Sequence, residues 1–114
     1  MLTTTVHRHW YAVYVRHNTE FRVESWLREQ GIEIYLPVQD VYREHAGKRI
    51  KVTKPVISGM LFVCLSRPEL TIVEHAPNVH HFFSKRGTNA PLIIPDQQMA
   101  DFRFMVDLSD TSIL

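Results

Sequence analysis

Seven histidines and a lone cysteine are the residues of this 114-residue sequence best suited to chemistry, and their spacing decides what they can do. His7 and His9 flank an arginine in "HRH", His80 and His81 are adjacent in "VHHFF", and His17, His45 and His75 stand apart. Neighbouring residues of a strand point to opposite faces, so His80 and His81 cannot share one ion without distortion. His7 and His9 would share a face, but no cysteine pair or acidic cluster supplies further ligands at metal-site spacing. No metal and no cofactor is expected. Nucleophilic chemistry fares no better: Ser58 precedes Gly59 inside an apolar run that lacks the strand-to-helix elbow of a catalytic serine. The four glycines, Gly31, Gly47, Gly59 and Gly87, are too dispersed for a phosphate-cradling loop. Cys64 reads as a packed small hydrophobe, and a single cysteine excludes an internal disulfide. The chain is read as a binding protein, not an enzyme.

The elements that must position these residues follow from periodicity. "HWYAVYV" (9–15) is aromatic and β-branched, with Trp10, Ala12 and Tyr14 on one face and Tyr11, Val13 and Val15 on the other. Asn18 is the expected N-cap of a helix that stops at Gly31, with Val23, Trp26 and Leu27 as its apolar stripe. "IEIYLPV" (32–38) alternates as a second strand, and residues 41–54 read as a basic hairpin turning at Ala46–Gly47. Residues 56–65 form the least polar stretch and are expected as a central strand buried on both faces. "SRPE" (66–69) is a capping box opening a short helix that Pro77 ends. "NVHHFF" (78–83) and "PLIIP" (91–95) are expected as strands, and Asp96 opens a last helix with Met99, Phe102, Met105 and Val106 on one side. This order predicts an α+β domain: a mainly antiparallel sheet of about four strands plus the basic hairpin, flanked by helices. Residues 9–108 are expected to form it, between an N-terminal tail (1–8) and a frayed C-terminal tail (109–114).

Charge is uneven. Residues 1–54 carry nine Lys and Arg against six Asp and Glu, whereas 55–114 carry four against six. Net charge is only +1, so a local basic face can orient a phosphate contact but cannot by itself hold nucleic acid tightly. The N-terminus lacks the apolar core of a signal peptide and no segment has the ~20 apolar residues of a membrane span. A cytoplasmic chain without membrane contact is expected.

Three ordered stretches carry a family resemblance. "HWYAVYVRHNTEFRVESWLREQGIEIYLPV" resembles the opening strand, helix and second strand of the NusG N-terminal (NGN) domain. "KPVISGMLFV" resembles that family's signature of a proline, a bulky apolar pair, Pro-Gly-Tyr and a Phe-Val strand. "APNVHHFFSKRGTNAPLIIPDQQM" resembles its closing section. The likeness spans about residues 9–107, and within the family it is nearest to specialised paralogues such as RfaH and the UpxY-type antiterminators. It implies a bacterial transcription elongation and antitermination factor that binds RNA polymerase at the clamp and reduces pausing or termination. No KOW module is expected after the last helix, and no small-molecule substrate.

By position, the resemblance places the contact with the polymerase β′ clamp helices on Tyr14, Ile57, Met60, Phe62 and Phe82. Ser58-Gly59-Met60 stands where the family has Pro-Gly-Tyr, so a flexible thioether replaces the ring. A bulge at Ser58–Gly59 would let Ile57, Met60 and Phe62 share a surface. A second contact, with the exposed non-template DNA strand, is carried over to Arg16, His17 and Arg22. The hairpin's Lys48, Arg49 and Lys51 are candidates for DNA or the polymerase β subunit. The plain alternative for each is an ordinary core or solvated side chain.

A rival reading comes from "SGMLFVCL", which partly matches the RNP1 strand of an RNA-recognition motif. Gly59, Phe62 and Val63 fit, but Met60 and Leu65 stand where rings should stack on bases, leaving little affinity for single-stranded RNA. A third class is a self-associating interaction domain presenting the same apolar patch to its own copy.

Overall fold

The first strand, β1 (His9–Val15), sits inside a four-stranded sheet because its alternation offers two apolar faces. The computed structural model describes residues 7–111, so most of the expected N-terminal tail and residues 112–114 lie outside the described residues. In chain order the elements are β1, α1 (Glu20–Glu29), β2 (Glu33–Tyr35), β3 (Val38–His45), β4 (Lys48–Pro55), β5 (Met60–Leu65), α2 (Glu69–Glu74), β6 (Val79–Phe82) and α3 (Asp96–Thr111). The sheet order is β2-β5-β1-β6 with every neighbouring pair antiparallel, while β3 and β4 form a separate ribbon. The expected α+β architecture is the observed one.

The sheet's two faces hold different cores. Tyr11, Val13 and Val15 of β1 and Leu61, Val63 and Leu65 of β5 pack with Val23 and Leu27 of α1 and Val73 of α2. Trp10, Ala12 and Phe62 face the other way, toward Met99 and Phe102 of α3. A helix thus covers each side, as the period-2 pattern of two central strands requires.

Local chemistry explains most element ends. α1 closes in a Schellman motif: the N–H of Ile32 bonds the Leu27 carbonyl at 3.1 Å and that of Gly31 bonds Arg28 at 3.0 Å, with Gly31 at φ +79°. Its start differs from expectation. Asn18 takes a left-handed φ of +68°, Thr19 is the cap residue, and the Thr19 hydroxyl donates to the Arg16 carbonyl at 2.6 Å. An asparagine tolerates that conformation, so it serves the turn and leaves the cap position to its neighbour. The hairpin turns at Ala46 and Gly47, both with positive φ, as a two-residue loop matched to strand twist demands. Its eight-residue arms project from the body, which raises the radius of gyration to 16.4 Å. A compact chain of this length has about 13 Å.

Three other boundaries shift. Residues 36–37 separate β2 from β3, dividing the expected strand 32–38, because Pro37 interrupts the ladder. Residues 56–59 form a turn and β5 begins only at Met60. Residues 91–95 contribute two isolated bridges, Ser84–Pro91 and Trp10–Ile94, instead of a strand. α3 also continues to Thr111, past the expected end at 108. Among the described residues no helix is long and apolar enough to cross a membrane.

The capping box forms with altered roles. Glu69 accepts from the Ser66 N–H at 2.8 Å and from the Ser66 hydroxyl at 2.9 Å, and pairs with Arg8 at 3.1 Å. Burial opposes charge on Glu69, but the two Ser66 hydrogen bonds and Arg8 outweigh it and hold the carboxyl below its ordinary 4.5. A depressed folded-state value stabilises the protein above the unfolded value, and the contribution fades as pH falls through the folded one. Glu69→Ala is therefore expected to cost about 1 kcal/mol at pH 7. In urea titrations the gap from the native chain should narrow below pH 4.5. An unchanged gap at pH 3 would show that the ionised carboxyl is not what stabilises α2.

Candidate polymerase-docking groove

Gly59 is where the site is built. Its N–H donates to the carboxyl of Glu20 at 2.7 Å, and its carbonyl accepts from the Val15 N–H at 2.9 Å. At φ +75° the backbone turns sharply, and a Cβ there would stand 3.3 Å from the Val15 carbonyl oxygen. Conformation selects glycine here, and a Cβ would in addition crowd that oxygen by a few tenths of an ångström. The turn, not a bulge within the strand, brings Ile57 and Met60 to the same apolar cluster as Phe62.

Met60 and Phe62 then line an open apolar groove of about 290 Å³ between the sheet and α3. Ala12 forms its floor, Phe83, Leu92 and Ile94 one wall, and Met99 and Phe102 of α3 the other. Phe102 lies 5.3 Å from Phe62 between ring centroids and also borders a smaller hollow of about 180 Å³ with Val38, Val56 and Met105. Tyr14 flanks the groove on the same sheet face, 4.9 Å from His81 and 5.8 Å from Phe83 between centroids. Ile57 packs against the cluster without lining the groove.

Phe82 does not belong to this surface. It pairs with Val13, so it shares Val13's face, is 4% exposed, and meets Tyr11 edge-on at 5.7 Å. Phe83, one residue later, occupies the groove instead. The wall from α3 was also absent from the sequence-based site. Its signal was the Met99–Phe102 spacing, which marks an inward stripe without saying what it faces.

The expected nucleic-acid residues separate into two groups. Arg16, His17 and Arg22 are exposed around the β1–α1 turn, where the His17 ring nitrogen Nδ1 hydrogen-bonds the Ser58 hydroxyl. Lys48, Arg49 and Lys51 lie on β4 of the hairpin. Lys51 pairs with Asp40 at 3.3 Å, and Arg49 stacks 4.4 Å over the Tyr42 ring. The Thr53 hydroxyl donates to Asp40 at 2.7 Å and, with Lys51, holds that carboxyl below its ordinary range. Lys48 is exposed and has neither kind of contact among the described residues.

The geometry weighs against the RNA-recognition reading. Phe62 is only 8% exposed, Met60 has no ring, and Leu65 is fully buried on the opposite face, so β5 offers no pair of exposed rings on which bases could stack. Among the described residues no three His, Cys, Asp or Glu side chains converge to hold a metal ion.

Comparison with known proteins places this arrangement. The family model NusG, described as transcription termination factor nusG, matches residues 8–103. Among curated proteins none matches. A solved structure of NusG from Thermotoga maritima, titled for its domain interaction, superposes with a TM-score of 0.53 at 21% identity. The match covers 81% of this chain and 53% of that one, so the chain spans about half the length of that relative. With the antiparallel sheet, its flanking helices and a family match over residues 8–103, the chain belongs to the NusG family as an NGN-type domain.

Proposed function

We propose that this domain is a transcription elongation and antitermination factor of the specialised NusG type, which docks the β′ clamp helices of RNA polymerase in the groove between β5 and α3. The observation that carries the reading is a single apolar concavity assembled from four separated segments, with Met60 and Phe62 at its centre and Phe83 in the place expected of Phe82. Tyr14 and Ile57 border it. A hydrophobic hollow suits the apolar side of a helical hairpin, and the thioethers of Met60 and Met99 can repack to follow it. The domain performs no chemistry. It binds the closed-clamp polymerase better than the open one and so shifts that population, which reduces pausing.

Arg16, His17 and Arg22 at the β1–α1 turn are the proposed contact to the non-template DNA strand. On the hairpin, Lys48 and Arg49 are better placed for DNA or the β subunit than Lys51, whose charge is engaged by Asp40. The +1 net charge makes these orienting contacts secondary to the groove.

Met60→Asp tests the proposal. Met60 is half-buried at the start of β5, so a carboxylate there can reach water while disrupting an apolar contact. Capture of RNA polymerase should weaken at least tenfold, about 1.4 kcal/mol, and the factor's effect on a paused template should fall in parallel. Circular dichroism should remain native. Equal capture by a folded variant overturns the docking assignment.

A further inference from the structure

The other end of β1 carries a second cleft of different chemistry. His9 lies on the β1 face that Tyr11 shares, His7 lines the cleft just before the strand, Arg67 comes from the turn before α2, and Leu70 and Ile93 supply apolar walls. The space is about 380 Å³, within the range of small-ligand sites. Tyr11 is 5% exposed overall, its ring buried, while its hydroxyl has no hydrogen-bond partner among the described residues and opens to the solvent of the cleft. Its ring is fixed by Phe82, so the phenol is held at the cleft instead of swinging to find an acceptor. Burial pushes the Tyr11 phenol up while the positive charge of Arg67 opposes the rise, so the hydroxyl stays a donor in a cleft that Arg67 also lines.

Among the described residues no carboxylate lines the cleft. Glu69, on the first turn of α2, is occupied by Ser66 and Arg8. A metal ion would meet Arg67 with no anionic ligand to compensate. A guanidinium, a phenol and two imidazoles around apolar walls instead suit a phosphate monoester attached to a flat ring. Arginine holds phosphate through paired N–H groups, and imidazole and aliphatic side chains cover a base.

We propose that the cleft bounded by His7, His9, Tyr11, Arg67, Leu70 and Ile93 binds a nucleoside monophosphate, with the phosphate between Arg67 and the Tyr11 hydroxyl. The length of β1, roughly 20 Å at 3.3 Å per residue, separates it from the turn bearing Arg16 and His17. The site therefore stands independently of the polymerase reading, and failure of either leaves the other intact.

Calorimetry and amide NMR titrations with AMP, inorganic phosphate and adenosine test it. AMP should saturate, with shifts centred on residues 9–11 and 67–70. Phosphate alone should bind at least threefold more weakly, and adenosine at least tenfold more weakly. Arg67→Ala should weaken AMP binding at least tenfold. Tyr11→Phe keeps the packed ring and should weaken it three- to tenfold, with thermal unfolding and polymerase capture as in the native chain. Absence of saturation at millimolar AMP, or native affinity in Arg67→Ala, overturns the site. Phosphate or adenosine binding as tightly as AMP overturns the nucleoside monophosphate assignment.

Discussion

Replacing Glu20 by alanine is expected to lower the unfolding free energy by about 2–3 kcal/mol, although the residue belongs to a surface helix. The side chain is 4% exposed and accepts the Gly59 N–H at 2.7 Å across 39 residues of sequence. Removing it leaves a half-buried amide without its acceptor and an unfilled space beneath α1. Glu20→Gln keeps an acceptor oxygen and should cost roughly half as much, since a neutral hydrogen bond is weaker than one to a carboxylate. Gly59→Ala should add its own loss of about 1–2 kcal/mol through the left-handed backbone. Because both act on one turn, the double variant should lose less than the sum. Urea unfolding with an unchanged m-value measures all three. On the proposed docking, the functional consequence should exceed the stability change, for the turn sets where Met60 begins β5. Polymerase capture should drop in Glu20→Ala even where the fold persists. A stability loss under 0.5 kcal/mol would show that the Glu20–Gly59 contact does not hold the turn.

That contact also marks where local reading ends. The alternation of β1, the Gly31 helix stop, the Ala46–Gly47 turn and the Glu69 reach to Ser66 are encoded within a few residues, and the structure reproduces each. Residues 56–59 were legible as apolar but not as a turn, because a half-exposed turn at the rim of a core and a buried strand draw on the same apolar side chains. Their conformation depends on Glu20 and His17, which lie about 40 positions earlier. Phe82 and Phe83 show the same limit at single-residue scale. With two adjacent phenylalanines, composition cannot say which enters the core, and the register against Val13 decides it. The groove was half visible for a related reason. Its sheet residues stand in a recognisable strand, while Met99 and Phe102 approach it through a chain reversal after β6 that no spacing rule specifies.

Met99→Asp should undock α3 while leaving the rest of the domain folded. Met99 is 2% exposed, packed with Trp10, Ala12 and Phe62, and an isolated carboxylate in that position would cost several kcal/mol. The protein has a cheaper response. The core on the other face of the sheet draws on α1, α2, β1 and β5 without any residue of α3, so it can persist when the helix leaves. Docking of α3 rests on Met99, on Phe102 against Phe62 and Tyr35, and on Arg103 placed 4.4 Å over the Tyr35 ring. The cost of the substitution is thus capped by the free energy of that docking rather than by full burial of the charge. Hydrogen exchange should show α3 amides losing protection by two or more orders of magnitude while β1 and β5 amides remain slow. Trp10 emission should shift to the red as its cover departs, with Trp26, packed against the α1-side core, unaffected. Phe102→Ala should move in the same direction by about 2–3 kcal/mol, less than a fully buried ring would because Phe102 is half-buried. Both variants remove the groove's helical wall, so polymerase capture should fall with the population of docked helix. Retained α3 protection in Met99→Asp would mean that other contacts hold the helix. Undocking with undiminished capture would mean that the sheet face alone receives the polymerase and that α3 normally covers part of it.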